Sequence, residues 1–143
     1  MKLEDIEALA EAELGLDPSN LEVESTNTPF LHNKFYKILN REVMTLSVLE
    51  QELSVLVHEK TNYFSGKADP DAYKEQPLDI IILSKDVDRY VDADRSVVNK
   101  RLTYAGQKQK VKYLESVIKE INNRTHHIRN AIAFMNFKNG VNR

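Results

Sequence analysis

Residues 111–135 read VKYLESVIKEINNRTHHIRNAIAFM. In this stretch Val111, Leu114, Ile118, Ile121, Thr125, Ile128, Ile132 and Met135 recur at alternating spacings of three and four. On a helix of 3.6 residues per turn that spacing keeps them on one stripe. Only Thr125 among them is polar. The pattern predicts a long helix, capped at Asp94 and reaching about Phe137. A seam of this length predicts self-association or packing on a second helix. Val111, Leu114, Ile118, Ile121, Ile128 and Ile132 are therefore the candidate oligomerisation residues. Beside the seam, Arg101, Lys108, Lys112 and Lys119 fall within about 40° of one another at 100° per residue, and His126 continues that basic stripe. Gly106 weakens the helix by ~1 kcal/mol relative to Ala and marks a candidate bend.

A second rod precedes this one. Thr28-Pro29 predicts its start, because Thr offers a capping oxygen and Pro fits the first helical position. No further Pro or Gly occurs before Gly66, so the rod reaches Phe64. At about 1.5 Å per residue it is roughly 54 Å long. Leu46, Leu49, Leu53, Leu56, Lys60 and Tyr63 keep the 3-4 spacing, and Phe35 and Leu39 extend an apolar face toward its start. A short helix is predicted over Lys2–Leu14, closed by Gly15, with a new turn at Asp17-Pro18. Ser84 is a candidate cap for a short helix through Val91. The apolar run DIIIL, residues 79–83, reads equally as a short strand or one buried turn. The fold class is all-α: two long helices plus short ones, assembling into a closed homo-oligomer through a helical C-terminal region. The expected regions are 1–75, helical and DNA-binding, a connector at 76–94, and an oligomerisation helix at 95–143.

Composition narrows the function. The 143 residues contain no Cys, which excludes disulfides and thiolate chemistry. Apolar runs such as Ile80 to Leu83 are far short of the ~20 residues that span a bilayer. The acidic, amphipathic start does not resemble a signal peptide, so a soluble cytoplasmic protein is expected. Charge is divided unevenly. Residues 1–94 carry 9 Lys+Arg against 20 Asp+Glu, and residues 95–143 carry 11 against 2. Such polarity fits a polyanionic partner for the basic part, or two halves that neutralise each other.

No phosphate-cradling glycine loop and no nucleophile elbow is present. Asp86, Asp88, Asp92 and Asp94 lack the glycine and distal Glu of a calcium loop, so capping and solvation explain them better. The neighbouring His126 and His127 point about 100° apart on a helix and do not form a chelating pair. No metal, cofactor or catalytic residue is expected.

The stretch His58-Glu59-Lys60-Thr61-Asn62-Tyr63-Phe64-Ser65-Gly66 ends the first rod. Lys60 has Tyr63 and Phe64 as its i+3 and i+4 neighbours, and Lys67 follows. A cation beside aromatic rings suits single-stranded nucleic acid, where phosphate meets the ammonium and bases stack on the rings. Spacing alone favours the other reading, in which Tyr63 and Phe64 cap a core while Lys60 snorkels past them.

This stretch resembles the basic-x-basic-x-x-Tyr-Tyr-Ser-Gly pattern of the UvsY family, the recombination mediators of T-even-like phages. Met1-Lys2-Leu3-Glu4-Asp5 and Leu83-Ser84-Lys85-Asp86-Val87-Asp88 also resemble the family's start and middle. The resemblance implies a non-enzymatic accessory protein of the host cytoplasm. It would bind single-stranded DNA, act with the phage single-strand-binding protein and help load a RecA-like recombinase. It would form closed homo-oligomers through its C-terminal region. The family's two basic residues fall on His58 and Lys60. His58 is mostly neutral at pH 7 and Glu59 lies between the two, so this pair would attract phosphate less than two permanent cations. Many copies in a ring, or the stripe Arg101, Lys108, Lys112 and Lys119, would compensate. The alternative from another class is a structural helical assembly or chaperone protein with no nucleic-acid role.

Overall fold

The computed structural model describes residues 1–140, and among them all regular structure is helical. In chain order the helices are α1 (Leu3–Glu13), α2 (Leu21–Phe64), α3 (Pro70–Glu75), α4 (Val87–Ala93) and α5 (Arg95–Lys138). Short 3-10 turns occupy Pro18–Asn20 and Ser84–Asp86. The two expected rods are α2 and α5, each 44 residues long. The chain forms two compact units: Met1–Glu42 with Lys110–Arg143, and Val43–Gln109. The last three residues of the first unit, and of the expected region 95–143, lie outside the described residues. These units interleave along the sequence, because each long helix contributes to both.

Helix α5 starts as its sequence predicts. Asp94 has an extended backbone, and its Oδ1 accepts the Val97 N–H at 3.2 Å. Helix α2 does not start at Thr28. It begins at Leu21 and runs through Pro29. The working start signal is Asp17-Pro18, likewise a capping residue followed by Pro, eleven positions earlier. Asp17 accepts the Ser19 hydroxyl at 2.7 Å and the Ser19 N–H at 2.9 Å. These bonds hold its carboxyl below the usual carboxylate range. Pro29 cannot donate to the carbonyl one turn back, and the helix is reinforced beside it. The Thr28 hydroxyl donates to Glu24 O at 3.1 Å, and the Arg124 guanidinium donates to the same carbonyl at 3.2 Å.

In the first unit, Ile6 and Ala10 of α1, Leu31, Phe35 and Ile38 of α2, and Leu114, Val117 and Ile121 of α5 form one buried cluster. Here α5 packs against both α1 and α2, so its buried face is wider than a two-helix seam. Val117 and Arg124 are buried alongside the predicted stripe, while Thr125 is exposed. Arg124 is 2% exposed and fully engaged. Besides Glu24 O, it donates to Leu14 O at 3.1 Å and Thr28 Oγ1 at 3.2 Å, and it pairs with the Glu24 carboxylate. Tyr113 packs at the edge of this cluster. Burial pushes its hydroxyl pKa up, and the nearby Glu7 and Glu11 carboxylates push the same way.

In the second unit the buried cluster is smaller: Val87 and Val91 of α4 and Val97 of α5, with Leu56, Val57, Phe64 and Ile82 packed on it. The run DIIIL is neither strand nor helical turn. It is irregular, Ile82 alone packs inward, and Ile81 is 96% exposed. Pro77 supplies no backbone donor there, and among the described residues no strand lies beside the run to pair with it.

Candidate nucleic-acid interface

The end of α2 is built by a specific stop. Gly66 takes φ +77, a left-handed conformation that suits glycine. Its N–H donates to Tyr63 O at 3.2 Å, and the Lys67 N–H reaches back to Asn62 O at 2.8 Å. This is the Schellman pattern, which satisfies the last carbonyls of a helix. It turns the chain sharply, so that α3 folds back on the end of α2.

Tyr73 of α3 then stacks on Tyr63, with ring centroids 5.3 Å apart and planes 16° from parallel. Hydroxyls lock the stack at both ends. Tyr73 donates to Tyr63 O at 2.8 Å, and Tyr63 donates to Gln76 O at 2.8 Å. Around the stack lies an open hollow of about 510 Å³, lined by Glu59, Lys60, Asn62, Tyr63, Lys67, Ala68, Asp69, Ala72, Glu75 and Gln76. Lys60 Nζ stands 5.7 Å from the centre of the Tyr63 ring, within cation–π range, and 3.5 Å from Asp94 Oδ2. Lys67 is exposed, and among the described residues no ion pair holds its ammonium.

The expected patch is therefore brought together in part. Lys60, Tyr63 and Lys67 share the hollow. Phe64 turns away from it, packs on the valine cluster and lies 5.8 Å from the Tyr90 ring. His58 is exposed outside the hollow, its Nε2 3.2 Å from the Asn62 amide. The chain matches the family described as "Recombination, repair and ssDNA binding protein UvsY" over residues 10–141. The chain belongs to the UvsY family. No curated protein sequence matches it. Its UvsY fold is shared with a crystal structure of the bacteriophage T4 recombination mediator protein UvsY, at a TM-score of 0.85 and 17% identity. That match covers 96% of this chain and 98% of the T4 chain. A second crystal lattice of the T4 protein gives 0.85 at 18% identity, over 96% and 99% of the two chains.

The other candidate residues of this UvsY chain lie along α5. In the second unit, Arg101 is bound to Asp92 at 2.7 Å, and Lys108 stands 5.6 Å from the Tyr104 ring. In the first unit, Lys112 and Lys119 are exposed. Of the seam residues, Val111, Leu114, Ile121 and Ile128 are buried within the chain itself. Ile118 is half-buried against the first unit's core, and Ile132 is exposed. Asp86 pairs with Arg89 and Asp92 with Arg101, as a solvated, charge-balanced surface would. Among the described residues, no group of three or more His, Cys, Asp or Glu is placed to hold a metal ion. No described helix is long and apolar enough to cross a membrane.

Sequence patterns missed Tyr73, Gln76 and Asp94 as parts of the site. Tyr73 and Gln76 carry no periodic signal because they sit in and after a six-residue helix. Asp94 was legible as a cap, and its second oxygen was not.

Proposed function

We propose that this chain is a recombination mediator that binds single-stranded DNA at the hollow beyond α2. The observation that carries the proposal is the meeting of Lys60, Tyr63 and Lys67 around one open, polar hollow. It occurs in the stretch that carries the UvsY pattern. Tyr63 lines the hollow as an aromatic surface for a base, and the exposed Lys67 supplies a cation for phosphate. Stacking of this kind is worth ~1–3 kcal/mol per base and reads no sequence.

Single sites of this strength bind weakly, and repetition would strengthen them by ~10²–10⁴ without a new contact. The last turns of α5 support self-assembly. Ile132, Phe134, Met135 and Phe137 are all exposed there, the two phenylalanines at 66% and 74%. Apolar side chains so concentrated mark an interaction surface. A closed ring of copies would wrap the strand, displace the phage single-strand-binding protein and deliver DNA to a RecA-like recombinase. The exposed Lys112 and Lys119 of the first unit are further candidate phosphate contacts.

Fluorescence anisotropy with a labelled single-stranded oligonucleotide tests the DNA role. The expected result is tighter binding to single strands than to duplex, falling steeply with salt, and weaker binding by Lys60→Ala and Lys67→Ala. No binding at low salt would return the chain to a structural assembly role. A light-scattering mass equal to one chain, at micromolar protein and moderate salt, would rule out the ring.

A further inference from the structure

Asp94 meets two needs with its two oxygens. Oδ1 caps α5 through the Val97 N–H, and Oδ2 lies 3.5 Å from the Lys60 ammonium. The cap requires only an acceptor: Asn and Ser serve an N-cap about as well as Asp. The negative charge is thus the part of Asp94 that the helix start does not need, and it faces a cation of the DNA site. The two side chains are only 21% and 16% exposed, so water and salt screen their attraction incompletely. While the pair is closed, the carboxylate cancels the charge that a phosphate would meet at Lys60. Lys67, which also lines the hollow, has no such ion pair among the described residues.

We propose that Asp94 is an internal counter-ion of the DNA site, which holds Lys60 back from phosphate and sets an upper limit on affinity. The proposal rests on the single-stranded DNA function argued above and names Asp94 as its regulator. DNA gains Lys60 only by displacing a tethered carboxylate. The hold on the strand is therefore weaker than the count of cations suggests, which suits a protein that must give its DNA up.

The test is Asp94→Asn, which keeps an N-cap oxygen and removes the charge. One added phosphate contact steepens the salt dependence of single-strand binding by ~0.7 and tightens it about fivefold near 0.1 M salt. Both changes are expected in Asp94→Asn and in Asp94→Ser. The double variant Lys60→Gln/Asp94→Asn should bind no tighter than wild type. Asp88→Asn, which removes an exposed carboxylate of α4 in the same unit, should leave affinity nearly unchanged. Binding by wild type that Asp94→Asn and Asp94→Ser leave unchanged or weaken overturns the counter-ion role alone. So does an equal gain from Asp88→Asn, or a gain that survives without Lys60. Loss of the folded state in both Asp94 variants, seen by circular dichroism, would make the carboxylate a packing requirement and overturn the role too. Absence of binding in every variant at low salt overturns the DNA function itself.

Discussion

Two cations show how differently the two units use charge. Arg124 in the first unit is 2% exposed and donates to two backbone carbonyls, a hydroxyl and a carboxylate. Nothing about it is open to a partner. Lys60 in the second unit has one carboxylate at 3.5 Å and one aromatic ring, beside an open hollow. A guanidinium offers a rigid fork of donors that can fasten several chain segments, whereas an ammonium is a point charge on a flexible stem. The first unit also has the larger apolar core, with Phe35 and Ile6 wholly buried. The second is held by three valines and their half-buried neighbours. The larger apolar core lies in the first unit and the open hollow in the second.

The contrast can be broken most directly by core truncation. Phe35→Ala should cost about 3–5 kcal/mol in urea unfolding. Val97→Ala, in the smaller core, should cost roughly 2 kcal/mol from two lost methyl groups and a small cavity. Equal costs would show that the second unit is as tightly built as the first. Arg124→Ala comes next, at about 3 kcal/mol, because it leaves the part-buried Glu24 carboxylate and Leu14 carbonyl without that donor. A loss under 1 kcal/mol would mean that water replaces the guanidinium easily.

Lys67→Ala should do the reverse. Its stability should stay within ~0.5 kcal/mol of wild type, while single-strand affinity drops about fivefold near 0.1 M salt. An unaltered anisotropy titration would move the DNA surface away from the hollow. The smallest effect concerns Tyr113. Its folded pKa is raised, so the unfolded chain loses the phenolic proton first. The resulting stabilisation is complete below the unfolded value near 10 and is lost as pH rises through the raised folded value. Thermal melts should therefore show a small alkaline decline that Tyr113→Phe removes. An identical decline in the variant would assign it to other groups.

Much of the architecture was legible because long helices write a long periodic signal. The 3-4 spacing of α5 and the Asp94 cap located that helix, and the break at Ser65-Gly66 located the end of α2. Where a signal was short, it misled. Thr28-Pro29 has the grammar of a helix start, yet the helix passes through it. Reinforcement of the Glu24 carbonyl comes from Arg124, 100 positions away, and no local pattern contains that. The apolar spacing of DIIIL suggested a buried element, but whether it finds a partner depends on what lies across from it.

The candidate site divides the same way. Local spacing placed Lys60 and Tyr63 together, since i+3 neighbours share a face whatever the rest of the chain does. Local spacing could not show that Phe64 stays out of the hollow, because its ring packs on the valines of α4 and α5. Nor could it show the Tyr73 ring on Tyr63 or the Asp94 carboxylate on Lys60. By itself the sequence determined the two long helices, the end of α2, the start of α5 and the presence of cations beside aromatic rings, all of which follow from interactions within about one turn. Only the tertiary structure decided which of those cations is free, because a charge is cancelled by whatever the fold brings within a few ångströms.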